Sequence, residues 1–448
     1  MKKAFALTAL SAALIASPVL AADPVAAPAS VAPAAKKPAA KPPSDMFEAL
    51  SALGKELKIV VGSGKGNPIP LLDKLAAHQY SDATREKITK VFGATEPLNI
   101  KRGPADNGML SYAISAPAFS YTDTNAAKFD WAELKLDILL DKAGRNMTTQ
   151  GSWPSFSISD KDLTMTVSDM AYDSKQRRNE RDTWIGKANA SIAKITFATP
   201  QAGAGAVLDG LSLTSSAVQR GAAVDIVGEI KVKALTAGGE QFDDLRFAMR
   251  MTNIDVRLFE KVSESMADAE RSGMPAKQRL AVVTQQFKLL GKSAALRGSA
   301  IEIDDFSLGY HGNRAVIKGK ISLAPGTDAD FASIDKVGKK LKLRLDVSVP
   351  VALVTDMAKL VMAKQAAAKK ETMSEDAIAQ AAQSVADVIV GKLLNGGMAK
   401  LDNGVLLSTI EFKGGKLTFN GKEVALPKTP KAPAKPVGED QPADDGEE

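Results

Sequence analysis

Between Ser408 and Pro427 apolar and polar residues alternate. Ile410 and Phe412 are set against Glu411 and Lys413, Gly414-Gly415 interrupts, and Leu417 and Phe419 are set against Lys416, Thr418 and Asn420. Period-two alternation broken by two glycines predicts a β-hairpin with one apolar and one wet face. A second such stretch lies upstream. Tyr310-His311-Gly312-Asn313-Arg314-Ala315-Val316-Ile317-Lys318-Gly319-Lys320 aligns without a gap on Phe412 to Lys422, at an offset of 102 residues. Turn residues then fall on turn residues, Ala315 and Ile317 on Leu417 and Phe419, and Gly-Lys on Gly-Lys.

The pattern extends upstream of both hairpins. DLRFAMRMTNI (Asp244 to Ile254) and KLKLRLDVSVP (Lys340 to Pro350) alternate as strands. Each precedes two stretches with three- and four-residue spacing. In the first copy Leu258, Phe259, Val262 and Met266 share a helix face that ends at Ser272-Gly273. Pro275 then suits a first turn, and Leu280, Val283, Phe287 and Leu290 form a stripe that Gly291 stops. In the second copy Val354, Met357, Ala358 and Val361 share a face. Thr372-Met373-Ser374-Glu375 resembles a capping box, and Ile378 to Leu393 form a stripe closed by Asn395-Gly396-Gly397. The expected unit is strand, helix, helix, hairpin, in two copies (241–330 and 331–427). A partial third copy is read in Leu208 to Val232, which lays Val224, Ile226 and Gly228 over Ala315, Ile317 and Gly319 without a helical pair.

The region 106–240 is strand-rich: MLSYAISAPAFSY, AELKLDILLD, SWPSFSIS, DLTMTVSDMAYD and ASIAKITFA all alternate or nearly so. Region 45–105 reads as helical from Asp45 to Phe92, with a break at IVVGSGKGNPIP. A lone hairpin is marginal in water, and short amphipathic helices do not hold themselves together. The predicted fold class is therefore α+β: a long twisted antiparallel β-sheet with two helical-hairpin insertions packed on one side. Burying about 100 Å² on a Phe or Leu contributes about 2.5 kcal/mol, so Phe412, Leu417 and Phe419 are expected in the core. The alternative is that part of their face lines a groove for something apolar.

The ends change the picture of where the protein resides. Lys2-Lys3, an apolar stretch and Val19-Leu20-Ala21 form a signal peptide (1–21), with cleavage expected between Ala21 and Ala22. The alternative is an uncleaved inner-membrane anchor facing the periplasm; Ala4 to Ala21 is near the lower length for a span, and Ser11, Ser17 and Pro18 weaken it. No later segment reads as a membrane-crossing helix. Residues 22–44, rich in Ala, Pro and Lys, read as a disordered linker, and 428–448 as a disordered tail, basic then acidic. Cysteine is absent, which fits an oxidising compartment and excludes disulfides.

Net charge is +6, falling to +4 without Lys2 and Lys3. The positive charge is scattered, so nucleic acid is not an expected partner. Candidate chemistry is sparse. His78 and His311 are the two histidines; His311 sits in a hairpin turn and His78 on a helix, at its surface or partly buried, so neither a zinc site nor a nucleophile–His–carboxylate triad is expected. Gly62-Ser63-Gly64-Lys65-Gly66 lacks the spacing of a phosphate loop and reads as a turn. Arg177-Arg178-Asn179-Glu180-Arg181-Asp182 reads as a solvated loop tip rather than an anion site. Trp153-Pro154 and Trp184 read as packing residues. Asp304-Asp305 and the pair Asp123 and Asp130 are carboxylates without visible supporting groups, and no calcium loop is present. No catalytic, cofactor-binding or metal residue is assigned.

The strand-rich front, the repeated unit and the hairpin GVLLSTIEFKGGKLTFNGKEVAL together resemble the YdgA-like family of bacterial envelope proteins. The resemblance runs from about Met109 to Leu426 and is strongest from Asp244 onward. It implies a family without an assigned biochemical function, whose members carry an N-terminal apolar segment at the inner membrane; it brings no catalytic residues. The expected function is a non-enzymatic structural or binding protein of the periplasm or cell envelope, with a lipid, peptide or envelope protein as partner. Two alternatives are an envelope hydrolase using a carboxylate pair and, more remotely, an outer-membrane barrel, against which the charged wet faces argue.

Overall fold

The computed structural model describes residues 44–61, 66–103, 108–180, 184–200, 205–258, 260–261, 265, 276–331, 334–369 and 371–424. The expected signal peptide with Ala21 and Ala22, the expected linker up to 43 and tail from 428, Gly62 to Lys65, and Phe259, Val262, Met266, Ser272, Gly273 and Pro275 lie outside them.

Three helices come first: α1 (Asp45–Val61), α2 (Pro68–Ala76) and α3 (Asp82–Phe92). Asn67 caps α2, accepting from the Ile69 N–H at 3.0 Å, with proline at its first turn. The break is shorter than the segment IVVGSGKGNPIP read from the sequence, because Ile59 to Val61 complete α1 and Pro68 opens α2. Strand structure also begins earlier than 106. β1 (Asn99–Gly103) pairs with β2 (Met109–Ala116), so the helical segment ends at Phe92.

The strands then run as β3 (Phe119–Thr122), β4 (Lys128–Trp131), β5 (Leu134–Asp141), β6 (Asn146–Ser159), β7 (Thr164–Arg178), β8 (Trp184–Ala198), β9 (Ala206–Arg220), β10 (Ala223–Ala237) and β11 (Glu240–Asp255). After α4 (Ala276–Arg297) come β12 (Ala300–Tyr310) and β13 (Asn313–Leu323). A short α5 (Ile334–Lys340), not read from the sequence, leads into β14 (Leu341–Pro350), α6 (Val351–Lys369) and α7 (Glu375–Asn395). The chain closes with β15 (Lys400–Asp402), β16 (Val405–Lys413), β17 (Lys416–Phe419) and β18 (Lys422–Val424).

Every strand pair is antiparallel. The ladder runs β1-β2-β5-β6-β7-β8-β9-β10-β11-β12-β13-β14-β16-β17-β18, with β3-β4 hung on β6 and β15 on β16. Among the described residues β1 and β18 do not pair, so the sheet is long and open and does not close as a barrel would.

Both anticipated hairpins form, but their turns are out of step. In the first, Tyr310 pairs with Asn313 across His311-Gly312, and Leu308 with Ala315. In the second, Lys413 pairs with Lys416 across Gly414-Gly415, and Phe412 with Leu417. Gly414 and Gly415 have φ of 60° and 80°, the left-handed pair that a two-residue hairpin turn requires. The turn-flanking pair is thus on the apolar side in the first hairpin and on the wet side in the second. The 102-residue alignment keeps the apolar faces of the return strands in phase and displaces the turns by one residue.

Two helix boundaries also differ. Gly291 does not stop α4, which continues to Arg297; Gly298, with φ of 68°, follows the helix end. For α7 the cap is Ser374, whose Oγ accepts from the Ala377 N–H at 3.2 Å. By length and composition α7 also passes as a membrane-crossing helix, with a window of mean hydropathy 1.3. Polar Gln383, Ser384 and Asp387 obscured this in the sequence. In the fold α7 lies against α6 with Ala382 and Ala386 buried.

The front helices do pack on the sheet. Leu72 of α2 is buried with Leu110, Tyr112, Ile138 and Leu140. Met46, Leu50 and Leu53 of α1 join Ile88 and Val91 of α3 and Phe129 of β4. At the far side Leu353 and Leu360 of α6 bury Tyr310 and pack on Phe242, Ala315 and Val349.

Candidate functional site

Directly paired residues of neighbouring strands share a face. One row can therefore be followed from strand to strand: Ile100, Ile114, Leu136, Gly151, Tyr172, Ala190, Leu213, Ile230, Phe247, Phe306, Ile317 and Val347. It crosses β1 to β14, roughly 50 Å at about 4.8 Å per strand, without one charged side chain. A neighbouring row on the opposite face reads Asp137, Gln150, Asp173, Asn189, Thr214 and Glu229.

That opposite face is laced with ion pairs. Arg246 bridges Glu229 and Asp305, Arg250 pairs with Asp304, Lys320 with Glu302 and Arg344 with Asp346 and Glu411. Burial pushes the Glu229 carboxyl up, but hydrogen bonds from Lys231 and Arg246 outweigh it and hold it below the usual range. The Lys320 hydrogen bond lowers Glu302, and that of Arg344 lowers Asp346.

A crease crosses the middle of the sheet. Pro154, Asp169, Ala193, Gly210, Lys233 and Asp244 stand opposite one another on β6 to β11, and Asp169, Gly210 and Asp244 have φ of 51°, 63° and 48°. A Cβ on Gly210 would sit 2.8 Å from the Lys233 Cβ, so glycine is needed there for both space and φ. The left-handed residues turn the strands over. Phe242 and Phe247, five apart, would point to opposite faces of a regular strand. Instead, Phe242 stacks on Tyr310 at 5.0 Å and Phe247 meets Phe306 at 6.0 Å, and Phe306 and Tyr310 are on the same face of β12. Likewise Trp153 and Phe156 approach to 5.2 Å across Pro154. The apolar side stays on one physical face.

Helices cover that face at its ends. Leu72 with Ile69 covers the β2-β5 end, and α6 covers Tyr310, Ala315 and Val349. α4 packs on β11 and β13; a Cβ on its Gly291 would touch Leu323 at 3.6 Å. Among the described residues no helix covers the face between α4 and α6. Phe306 is 51% and Ile230 40% exposed, and a Cβ added at Gly228, in the next apolar row, would meet nothing within 4 Å.

The residues singled out in the sequence do not gather here. His311 stacks on Tyr310 at 4.1 Å in its turn, 3.9 Å from Asp356. Tyr310 beneath it donates to Glu240 at 2.6 Å, and burial with that bond pushes its hydroxyl up to about 12. Asp304 and Asp305 are bound by Arg250, Arg246 and Arg314. Asp123 is buried and accepts from the backbone N–H groups of Asp45 and Thr124. Asp130 accepts from Ser120 and pairs with Lys128. Arg177 and Arg178 end β7, Asn179 donates to Gln219 at 2.9 Å, and Arg181 and Asp182 lie outside the described residues. Trp153 donates to the Ala132 carbonyl, and Trp184 packs beside Ile138 and Leu140. Among the described residues no three His, Cys, Asp or Glu side chains converge as metal ligands would.

One polar cluster was not legible. Glu56 of α1 accepts from the Ser81 N–H at 2.7 Å and Oγ at 2.9 Å, and its Oε1 lies 3.1 Å from His78 Nε2. The carboxylate stands between serine and histidine, so the histidine is not placed to take the serine proton as a triad requires. The arrangement ties three helices together.

An open antiparallel sheet with an apolar trough and a charged back defines a class of architecture rather than a reaction. A family model described as a bacterial protein of unknown function, DUF945, matches residues 62–427, and the chain belongs to that family. Among curated proteins no sequence matches it.

Proposed function

We propose that the protein is exported to the periplasm, with cleavage between Ala21 and Ala22. There it serves without catalysis as an envelope binding or structural protein, and its apolar sheet face receives a lipid, a peptide or a protein partner. The observation that carries this reading is the uncharged row from Tyr172 to Val347, in which Ile230 and Phe306 are exposed and no described helix covers them. An exposed apolar surface of this extent is costly unless something occupies it. The carboxylates considered for a hydrolase are engaged by cations or backbone amides, which does not favour that alternative.

The YdgA-like resemblance belongs to the same proposal and agrees with an envelope location. The duplication is also part of the proposal: β11, α4, β12 and β13 follow the order of β14, the α6–α7 pair, β16 and β17, with one described helix in place of two, and we read the two units as diverged copies.

Native mass spectrometry of protein purified gently from its own envelope is expected to show a bound lipid, peptide or partner. A bare monomer that turns over a substrate, and loses turnover when one carboxylate is replaced, overturns the reading. N-terminal sequencing of the mature chain is expected to begin at Ala22; a chain still starting at Met1 in membranes contradicts cleavage.

A further inference from the structure

The occupant of the trough can be specified further, on the reading that the apolar face is a binding surface. We infer that it is one anionic phospholipid, its acyl chains lying across β10 to β14 and its headgroup toward α4.

Three features select this chemistry. First, the floor made by Ile230, Phe247, Phe306, Ile317 and Val347 offers no hydrogen-bonding side chain. A peptide laid there would leave amide groups unpaired against apolar surface, which is costly; an acyl chain has none to satisfy. Second, the dimensions fit. Five strands span roughly 19 Å at about 4.8 Å each, against about 15 Å for one leaflet of a bilayer's ~30 Å hydrocarbon core. Across the trough, Ala315 under α6 and Leu323 near α4 are roughly 27 Å apart at about 3.3 Å per residue. Two helices about 10–12 Å in diameter then leave a gap of roughly 15 Å. Third, the walls differ in charge. α4, AKQRLAVVTQQFKLLGKSAALR, carries Lys277, Arg279, Lys288, Lys292 and Arg297 and no acidic residue. Arg297 is held by Asp255, and Arg279 is exposed. α6 and α7 mix both signs, with Lys359 paired to Glu375. A helix with no acidic residue and with Arg279 exposed, beside an uncharged floor, complements an amphiphile with a negative head.

Gly228 supplies the test, because a Cβ built there has no neighbouring atom within 4 Å. The mature full-length chain is exposed to vesicles of phosphatidylglycerol carrying a diazirine in the acyl chain, and to matched phosphatidylcholine vesicles. Labelled peptides are then mapped by mass spectrometry. Labelling is expected in β10 to β13, at least fivefold stronger with phosphatidylglycerol. Gly228→Trp is expected to cut it at least fivefold with an unchanged melting temperature, and Gly228→Leu serves if the Trp variant misfolds. Arg279→Glu is expected to bring phosphatidylglycerol labelling down toward the phosphatidylcholine level. Labelling elsewhere, or full labelling of a folded Gly228 variant, overturns the inference. If the purified protein instead carries a peptide or protein partner and no lipid labels the trough, the lipid inference fails and the binding role stands. If nothing binds the apolar face, both fail.

Discussion

Glu56 illustrates how much one side chain can carry where local sequence is silent. Ser81 stands at the N-cap of helix α3, but its own side chain makes no capping bond. Glu56 reaches across from α1 instead, accepting from both the Ser81 backbone and its hydroxyl. Burial pushes its carboxyl up, but bonds from Thr84, Ser81 and His78 outweigh this and hold it below the usual value. Beside it the Tyr80 hydroxyl is pushed up to about 12, by burial and then by the Glu56 charge. Glu56→Ala is expected to destabilise the front helices by about 1–2 kcal/mol, read as a lower urea midpoint followed by Trp131 and Trp153 fluorescence. An unchanged midpoint would mean water replaces the carboxylate at no cost. Nothing in the spacing of Glu56 and Ser81 announces the contact, since it depends on how α1 and α3 pack.

At the scale of elements the sequence was informative wherever periodicity was clean. Period-two alternation located the long strands, and Gly414-Gly415 and His311-Gly312 located the turns. What it missed has physical reasons. Gly291 lies inside α4 because a single glycine costs a helix only about 1 kcal/mol, which packing on β11 and β13 can offset. β1 was hidden because NIKRG is short and mostly polar, as befits an edge strand. The crease was hidden because Asp169 and Asp244 look like ordinary wet-face residues; only their φ angles and the aromatic contacts across the line reveal the inversion. The trough was half legible. Each strand displayed its apolar side, but continuity across twelve strands depends on register, which a one-residue slip would destroy.

At the scale of the whole molecule the two faces of the sheet respond differently to pH. The apolar face carries no titrating row. On the other face Glu229, Glu302 and Asp346 have carboxyls held below their usual values by Lys231 and Arg246, Lys320 and Arg344. A carboxyl depressed in the folded state contributes stability above its unfolded pKa and loses that contribution as pH falls through the folded value. The urea midpoint is therefore expected to be flat from pH 7 to about 5 and to fall below about pH 4. A midpoint that rises on acidification would mean that these pairs cost more to bury than they return.

The ladder is a meander along most of its length, each strand lying beside one close to it in sequence. Such wiring makes span a matter of arithmetic. A two-strand insertion at any turn would add about 10 Å of floor and rethread nothing, so relatives built on this plan can be cut to different reaches as a ladder is cut by the rung.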